Sequence, residues 1–184
     1  QPEGYRKTAR LMKIAEDFDL PLISFIDTPG AYPGIESEER GMSEAIAKNL
    51  SLLSNLKTPV IVIITGEGGS GGALAIGIGD HVCMLEHSIY AVASPEACAS
   101  IVWRDGSKAK DAAEAMKVDA GSLQKLGLVD EVINEPLGGA HRDLRGASNS
   151  ISDVIEEKLS TFDEIEISDL LNKRYKKIMS YGSI

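Results

Sequence analysis

The 184-residue chain is short of the residues that most often carry side-chain chemistry. It has two cysteines, three histidines and one tryptophan, and aromatic residues make up 5% of it. Cys83 and Cys98 do not form a C-x-x-C pair, so no metal site is expected. Both sit in apolar runs, where cysteine behaves as a small core residue rather than as half of a disulfide. No apolar run approaches the roughly 18 residues of a membrane span. No signal peptide opens the sequence, so a cytoplasmic location is expected. Positive charge is also scarce: 19 Lys and Arg face 28 Asp and Glu, a net charge of −9, which argues against a nucleic-acid partner. The two local basic clusters, Arg6-Lys7-Arg10-Lys13 and Lys173-Arg174-Lys176-Lys177, fall on predicted helices and are read as solvated faces. An initiating Met is missing, and "QPEGYRKTARL" reads as helix almost at once, so a preceding N-terminal region is expected.

What is abundant is apolar residue and glycine. Hydrophobic residues are 43% of the chain, enough for one domain with a sizeable core, and 18 residues are glycine. Leu11, Ile14, Ala15 and Phe18 repeat at helical spacing, predicting a helix over Glu3–Phe18. "PLISFID" at 21–27 predicts a strand, "TPGAYPG" at 28–34 a loop, and Glu36–Lys57 one long helix. The β-branched run "PVIVIIT" at 59–65 predicts a buried parallel strand, followed by a glycine-rich turn and a helix over Gly71–Gly79. "HVCML", "SIYAVA" and "GLVDEVI" predict further strands. Helices are predicted over Pro95–Trp103, Lys108–Met116, Ala120–Leu126, Gly146–Phe162 and Ser168–Tyr181. This is the βαβ rhythm of an α/β domain. In such sheets ligands bind beyond the carboxyl ends of the strands, where the loops Thr28–Gly34 and Gly66–Gly72 both leave.

"TGEGGSGGA" at Thr65–Ala73 admits several chemistries. Gly68-Gly69-Ser70-Gly71-Gly72 matches G-x-S-x-G, the turn of a serine nucleophile, and Asp130 and His141 follow in the required order. Gly66 to Gly71 matches G-x-G-x-x-G, but Glu67 inside the turn would repel a pyrophosphate. The G-x-x-x-x-G-K phosphate loop is absent. The third option is an oxyanion hole. The N–H groups of Gly71 and Gly72 would open the helix without intrahelical partners, and glycine lets a planar carbonyl approach without meeting a Cβ. His81 and His87 flank a strand and are read as structural, and Asp27 and Glu67 as loop organisers.

Beyond these short patterns, "PEGYRKTARLMKIAE", "FIDTPGAYPGIESEERG", "GEGGSGGALAIGIGD", "SPEACASIVW", "EPLGGAHRD" and "RYKKIMSYG" run in order over nearly the whole chain. Together they resemble the family of bacterial acetyl-CoA carboxylase carboxyltransferase α subunits. One departure is Ala97 in "SPEAC", where the family pattern would have glycine. The resemblance implies an α/β, crotonase-like (ClpP/crotonase) fold of repeated ββα units with C-terminal helices, residues 1–184 forming one carboxyltransferase domain without its N-terminal region. It implies transfer of a carboxyl group from carboxybiotin, carried on biotin carboxyl carrier protein, to acetyl-CoA, giving malonyl-CoA for fatty acid synthesis. It implies an α2β2 assembly with a β subunit that holds the zinc, and cooperation with biotin carboxylase. Carried onto this sequence, the oxyanion-hole pair falls on Gly71 and Gly72. Gly68 and Gly69 lie beside it, and Gly30, Ala31 and Tyr32 form the opposing wall, with a backbone donor from Gly30 and Ala31 and the Tyr32 ring against biotin. Ser70 is then a bystander. A serine hydrolase using Ser70 and a non-catalytic crotonase-like scaffold are the alternatives.

Overall fold

A computed structural model describes residues 1–182. The chain opens with α1 (Pro2–Asp17), then β1 (Leu22–Thr28), α2 (Ile35–Glu39), α3 (Met42–Asn55), β2 (Val60–Gly69) and α4 (Ser70–Leu74). It continues with β3 (His81–Leu85), β4 (Ile89–Ala91), α5 (Pro95–Trp103), α6 (Ala109–Met116) and α7 (Ala120–Lys125). β5 (Glu131–Ile133), α8 (Leu144–Asp163) and α9 (Ile167–Ser180) complete it. All strand pairs are parallel, in the order β1-β2-β3-β5, with β4 added beside β2.

Parallel pairing explains why the first half of β2, Val60–Ile64, is an unbroken apolar run. Val60, Val62 and Ile64 point to one face, with Met12, Ile26, Leu53, Val82 and Met84. Ile61 and Ile63 point to the other, with Cys83, Leu85 and Ile133, under the Ile151–Phe162 side of α8. Both faces are covered, so alternation of polar and apolar residues disappears. Cys83 and Cys98 are free thiols, and Cys83 is buried. Burial, with the carboxylates of Glu131 and Asp130 nearby, pushes the Cys83 thiol up to about 12.

Four expectations are corrected. The long helix over Glu36–Lys57 is broken into α2 and α3 at Gly41, which takes φ +79° as the cap of α3. β2 does not stop at Thr65: "GEGG" continues as strand because Glu67, Gly68 and Gly69 pair with Ile89, Tyr90 and Ala91 of β4. The helix over Gly71–Gly79 is only Ser70–Leu74, since Gly77 and Gly79 carry the chain off against the body of the domain. The fourth concerns the second basic cluster, which is not a uniformly solvated face. Arg174 is wholly buried and uses its fork on five acceptors. Two are the oxygens of Asp80, at 2.9 and 2.6 Å. The others are the carbonyls of Leu53, Leu56 and Thr58, at 2.8, 2.7 and 2.9 Å. Asp80 in turn accepts the Val60 N–H at 2.8 Å, so α9 is tied to the end of α3 and the start of β2.

Candidate functional site

Two adjacent parallel strands assemble the site. β1 and β2 pair with Ser24 opposite Val62 and Thr28 opposite Gly68, so both chains leave the sheet at its carboxyl edge. From β1 the chain enters the Pro29–Gly34 loop. From β2 it enters Ser70 and α4.

The two segments meet backbone to backbone. A Cβ on Gly69 would run into the Pro29 carbonyl oxygen, and one on Gly72 would lie 2.5 Å from Gly30 C and 2.7 Å from Ala31 N. Within the loop, Thr28 Oγ1 accepts the Gly30 N–H and donates to the Gly30 carbonyl, each at 3.2 Å. That bond occupies the Gly30 N–H, correcting the expectation that it is a free donor, and leaves the Ala31 N–H as the other backbone donor of this loop beside Gly72. Gly68 is confined by the Tyr90 ring, whose Cδ2 would sit 2.8 Å from an added Cβ.

Gly71 differs from its neighbours. Its φ is not positive, and an added Cβ would meet only the flexible tip of Ile46, at 3.4 Å. No packing reason keeps it glycine. It is also the second residue of α4, and no side chain caps this helix. The first N–H groups of a helix have no intrahelical acceptor, and they carry the positive end of its dipole.

Two hollows flank this point. One is a cavity of about 300 Å³ lined mainly by apolar groups, among them Gly71, Leu74, Tyr90, Val92 and Leu128. The other is an open cleft of about 680 Å³ containing Thr28, Gly30, Ala31, Tyr32 and Ser94. Tyr32 is half exposed, and its ring lies over Gly34. Of the residues expected at the site, Gly30, Ala31 and Tyr32 therefore share the cleft, and Gly71 lines the adjoining cavity. Gly68, Gly69 and Gly72 are buried in the wall behind them. The sequence reading missed Tyr90, Val92 and Leu128. The available signal was Gly68, too close to the Tyr90 ring to bear a side chain. Burial raises the Tyr90 phenol above its ordinary range, so it stays neutral.

Ser70 occupies the left-handed region, with φ +50°. A non-glycine residue there is strained by about 1–3 kcal/mol. This is the posture of a nucleophile, but its surroundings are not those of a hydrolase. Among the described residues, no histidine and no carboxylate lines either hollow. Asp130 is engaged elsewhere, accepting the Val82 N–H at 2.6 Å and paired with Lys177. The serine-hydrolase alternative finds no support. Asp27 behaves as a loop organiser, accepting the Glu67 N–H at 3.0 Å. Behind the sheet, His81, Cys83 and Glu131 converge, with His81 Nε2 2.9 Å from Glu131 Oε2. Lys158 also pairs with Glu131 at 3.3 Å, so the cluster sits within an ion-pair network.

The sequence pattern of the acetyl co-enzyme A carboxylase carboxyltransferase-like family matches residues 1–182. The chain belongs to this family. Carboxyltransferase relatives include the acetyl-coenzyme A carboxylase carboxyl transferase subunit alpha of Alcanivorax borkumensis, 57% identical over all 184 residues. The subunit of the same name from Vibrio cholerae is 57% identical over 182 residues, 99% of this chain. The chain spans 57% of the length of each of these relatives. Among solved structures it is similar to the transcarboxylase 12S core with methylmalonyl-coenzyme A bound, at TM-score 0.67 and 24% identity, over 73% of this chain and 28% of that one. It is also similar to a chain of a Pseudomonas malonate decarboxylase hetero-tetramer, at TM-score 0.67 and 18% identity, over 90% of this chain and 67% of that one. These likenesses establish the crotonase-like fold expected for a carboxyltransferase.

Proposed function

We propose that this chain forms the biotin-facing half of a carboxyltransferase site, as the α subunit of an acetyl-CoA carboxylase. Bound carboxybiotin would supply the carboxyl group: its N–C bond breaks, a C–C bond forms to the acetyl-CoA methyl carbon, and the methyl proton passes to the vacated nitrogen, giving malonyl-CoA. This chain contributes donors, shape and exclusion of water rather than a reacting side chain. The N–H groups of Gly71 and Gly72 would face the ureido oxygen, where negative charge would grow as the carboxyl group departs. Fixed donors that bind this charge more strongly than the ground state lower the barrier. Gly30, Ala31 and Tyr32 form the opposing wall against the biotin ring. Gly69 acts by letting β2 and the loop approach, and Gly68 by leaving room for the Tyr90 ring.

The observation that carries the reading is Gly71: bare of side chain without a packing cause, at the uncapped start of α4, on a cavity wall. The absence of a histidine or carboxylate from the two hollows agrees with a reaction whose base is the substrate's own nitrogen. We assign a β subunit as partner in an α2β2 assembly, zinc to that β subunit, biotin carboxyl carrier protein and biotin carboxylase as the upstream components, and a cytoplasmic location. Residues 1–184 are read as one carboxyltransferase domain preceded in the whole protein by an N-terminal region. No helix among the described residues is long and apolar enough to cross a membrane. The test uses the protein at its relatives' full length, mixed with its β subunit, malonyl-CoA and biocytin. Malonyl-CoA consumption that depends on biocytin is expected. Unchanged turnover with valine at Gly71 would refute the oxyanion-hole role.

A further inference from the structure

Ser70 alone among the described residues lines both the apolar cavity and the open cleft. It is exposed, and its hydroxyl has no hydrogen-bond partner among the described residues. It also holds φ +50° in a stretch where glycine stands on either side. Glycine at this position would remove the backbone strain, yet the chain keeps a side chain here. Strain that persists without a packing return is a mark of function.

We propose that Ser70 holds the carboxyl group during its transfer, its hydroxyl donating a hydrogen bond to a carboxylate oxygen. The inference rests on the carboxyltransferase reading and goes beyond it by giving the serine side chain a part. The chemistry suits the position. A carboxylate accepts hydrogen bonds and donates none, so it calls for a donor. Among the described residues, neither hollow is lined by Lys or Arg. A carboxylate there meets only neutral donors, which orient it without trapping it as a charged partner would. With no base beside it, the hydroxyl remains a donor and does not become a nucleophile. Ser70 is thus a contact for the group in transit, placed where the two hollows meet.

The test compares wild type, Ser70→Ala and Ser70→Gly, each at full length and assembled with the β subunit. Two readouts separate the hydroxyl from the backbone. The first is calorimetric affinity for malonyl-CoA against acetyl-CoA, which differ by the carboxylate. The second is biocytin-dependent malonyl-CoA consumption. Ser70→Ala keeps the Cβ and the strain. It should lower turnover and the preference for malonyl-CoA by about 10- to 100-fold, the range of a hydrogen bond to a charged group, with the KM for biocytin little changed. Ser70→Gly should show the same losses while raising the thermal midpoint by about 2–4 °C. Wild-type turnover and preference in Ser70→Ala would overturn the proposal, and so would a defect confined to Ser70→Gly. If the wild-type assembly neither binds malonyl-CoA nor consumes it, the carboxyltransferase reading itself fails and this inference falls with it.

Discussion

Gly71 and Gly72 are adjacent in sequence, yet alanine should act on them in opposite directions. At Gly71 the backbone is helical and an added methyl group meets only Ile46 Cδ1 at 3.4 Å. A helical glycine replaced by alanine gains about 0.5–1 kcal/mol of stability. At Gly72 the methyl group would lie 2.5 Å from Gly30 C, 2.7 Å from Ala31 N and 2.8 Å from Gly30 Cα, all of them backbone. The loop has to move away, and overpacking of this kind costs about 1–3 kcal/mol. The two variants should therefore differ by about 1.5–4 kcal/mol in urea unfolding, with Gly71→Ala above wild type and Gly72→Ala below it. Activity should separate from stability at Gly71. A Cβ beside the donor displaces the bound carbonyl, and a displacement of about 1 Å costs on the order of 100-fold in rate. Assembled with the β subunit, Gly71→Ala should be the more stable protein and the poorer enzyme. Full activity in Gly71→Ala would refute the donor role of this position. Wild-type stability in Gly72→Ala would refute the loop contact.

Three further outcomes follow from the same geometry. Arg174→Ala strands Asp80, whose side chain is 3% exposed, and should cost about 3–5 kcal/mol in denaturant titration; pairing it with Asp80→Asn should recover part of that loss if the charge pair is the cause. Thr28→Val removes both hydrogen bonds that shape the Gly30 turn and should cost about 1–2 kcal/mol, with turnover falling as the loop loosens. Cys83 titrates near 12 in the folded chain, above its ordinary value near 9.0. The unfolded chain therefore loses this proton first as pH rises. The stability due to the neutral thiol is full below about pH 9 and declines toward pH 12, by up to about 1.4 kcal/mol per pH unit. Cys83→Val should flatten that decline in alkaline unfolding curves, and an unchanged slope would show that the thiol is not its source.

Some of this was legible in the residues. The β-branched run at 60–64 and the amphipathic spacing of α1 declare their elements, because burial on two faces or on one leaves a periodic trace. The two glycine-rich segments were placeable at one sheet edge from the strand–loop–helix rhythm alone. Other features were not legible, since they depend on partners distant in sequence. "GEGG" reads as a turn from its glycines and becomes strand only because β4 pairs with it. Arg174 reads as one of four surface cations, and nothing local reveals that Asp80 and three carbonyls wait for it.

By itself, then, the sequence determined the parallel α/β architecture and where its ligand edge lies, since hydrophobic periodicity and turn chemistry are local properties of the chain. The same holds for the family, whose motifs run the length of the sequence. Only the tertiary structure decided what each glycine is for. Gly68, Gly69 and Gly72 are bare because a ring or a backbone from elsewhere occupies their Cβ space, whereas Gly71 is bare with room to spare. Only tertiary structure, too, put Ser70 at the junction of two hollows in a strained backbone, because cavity walls are made by segments that meet only after folding.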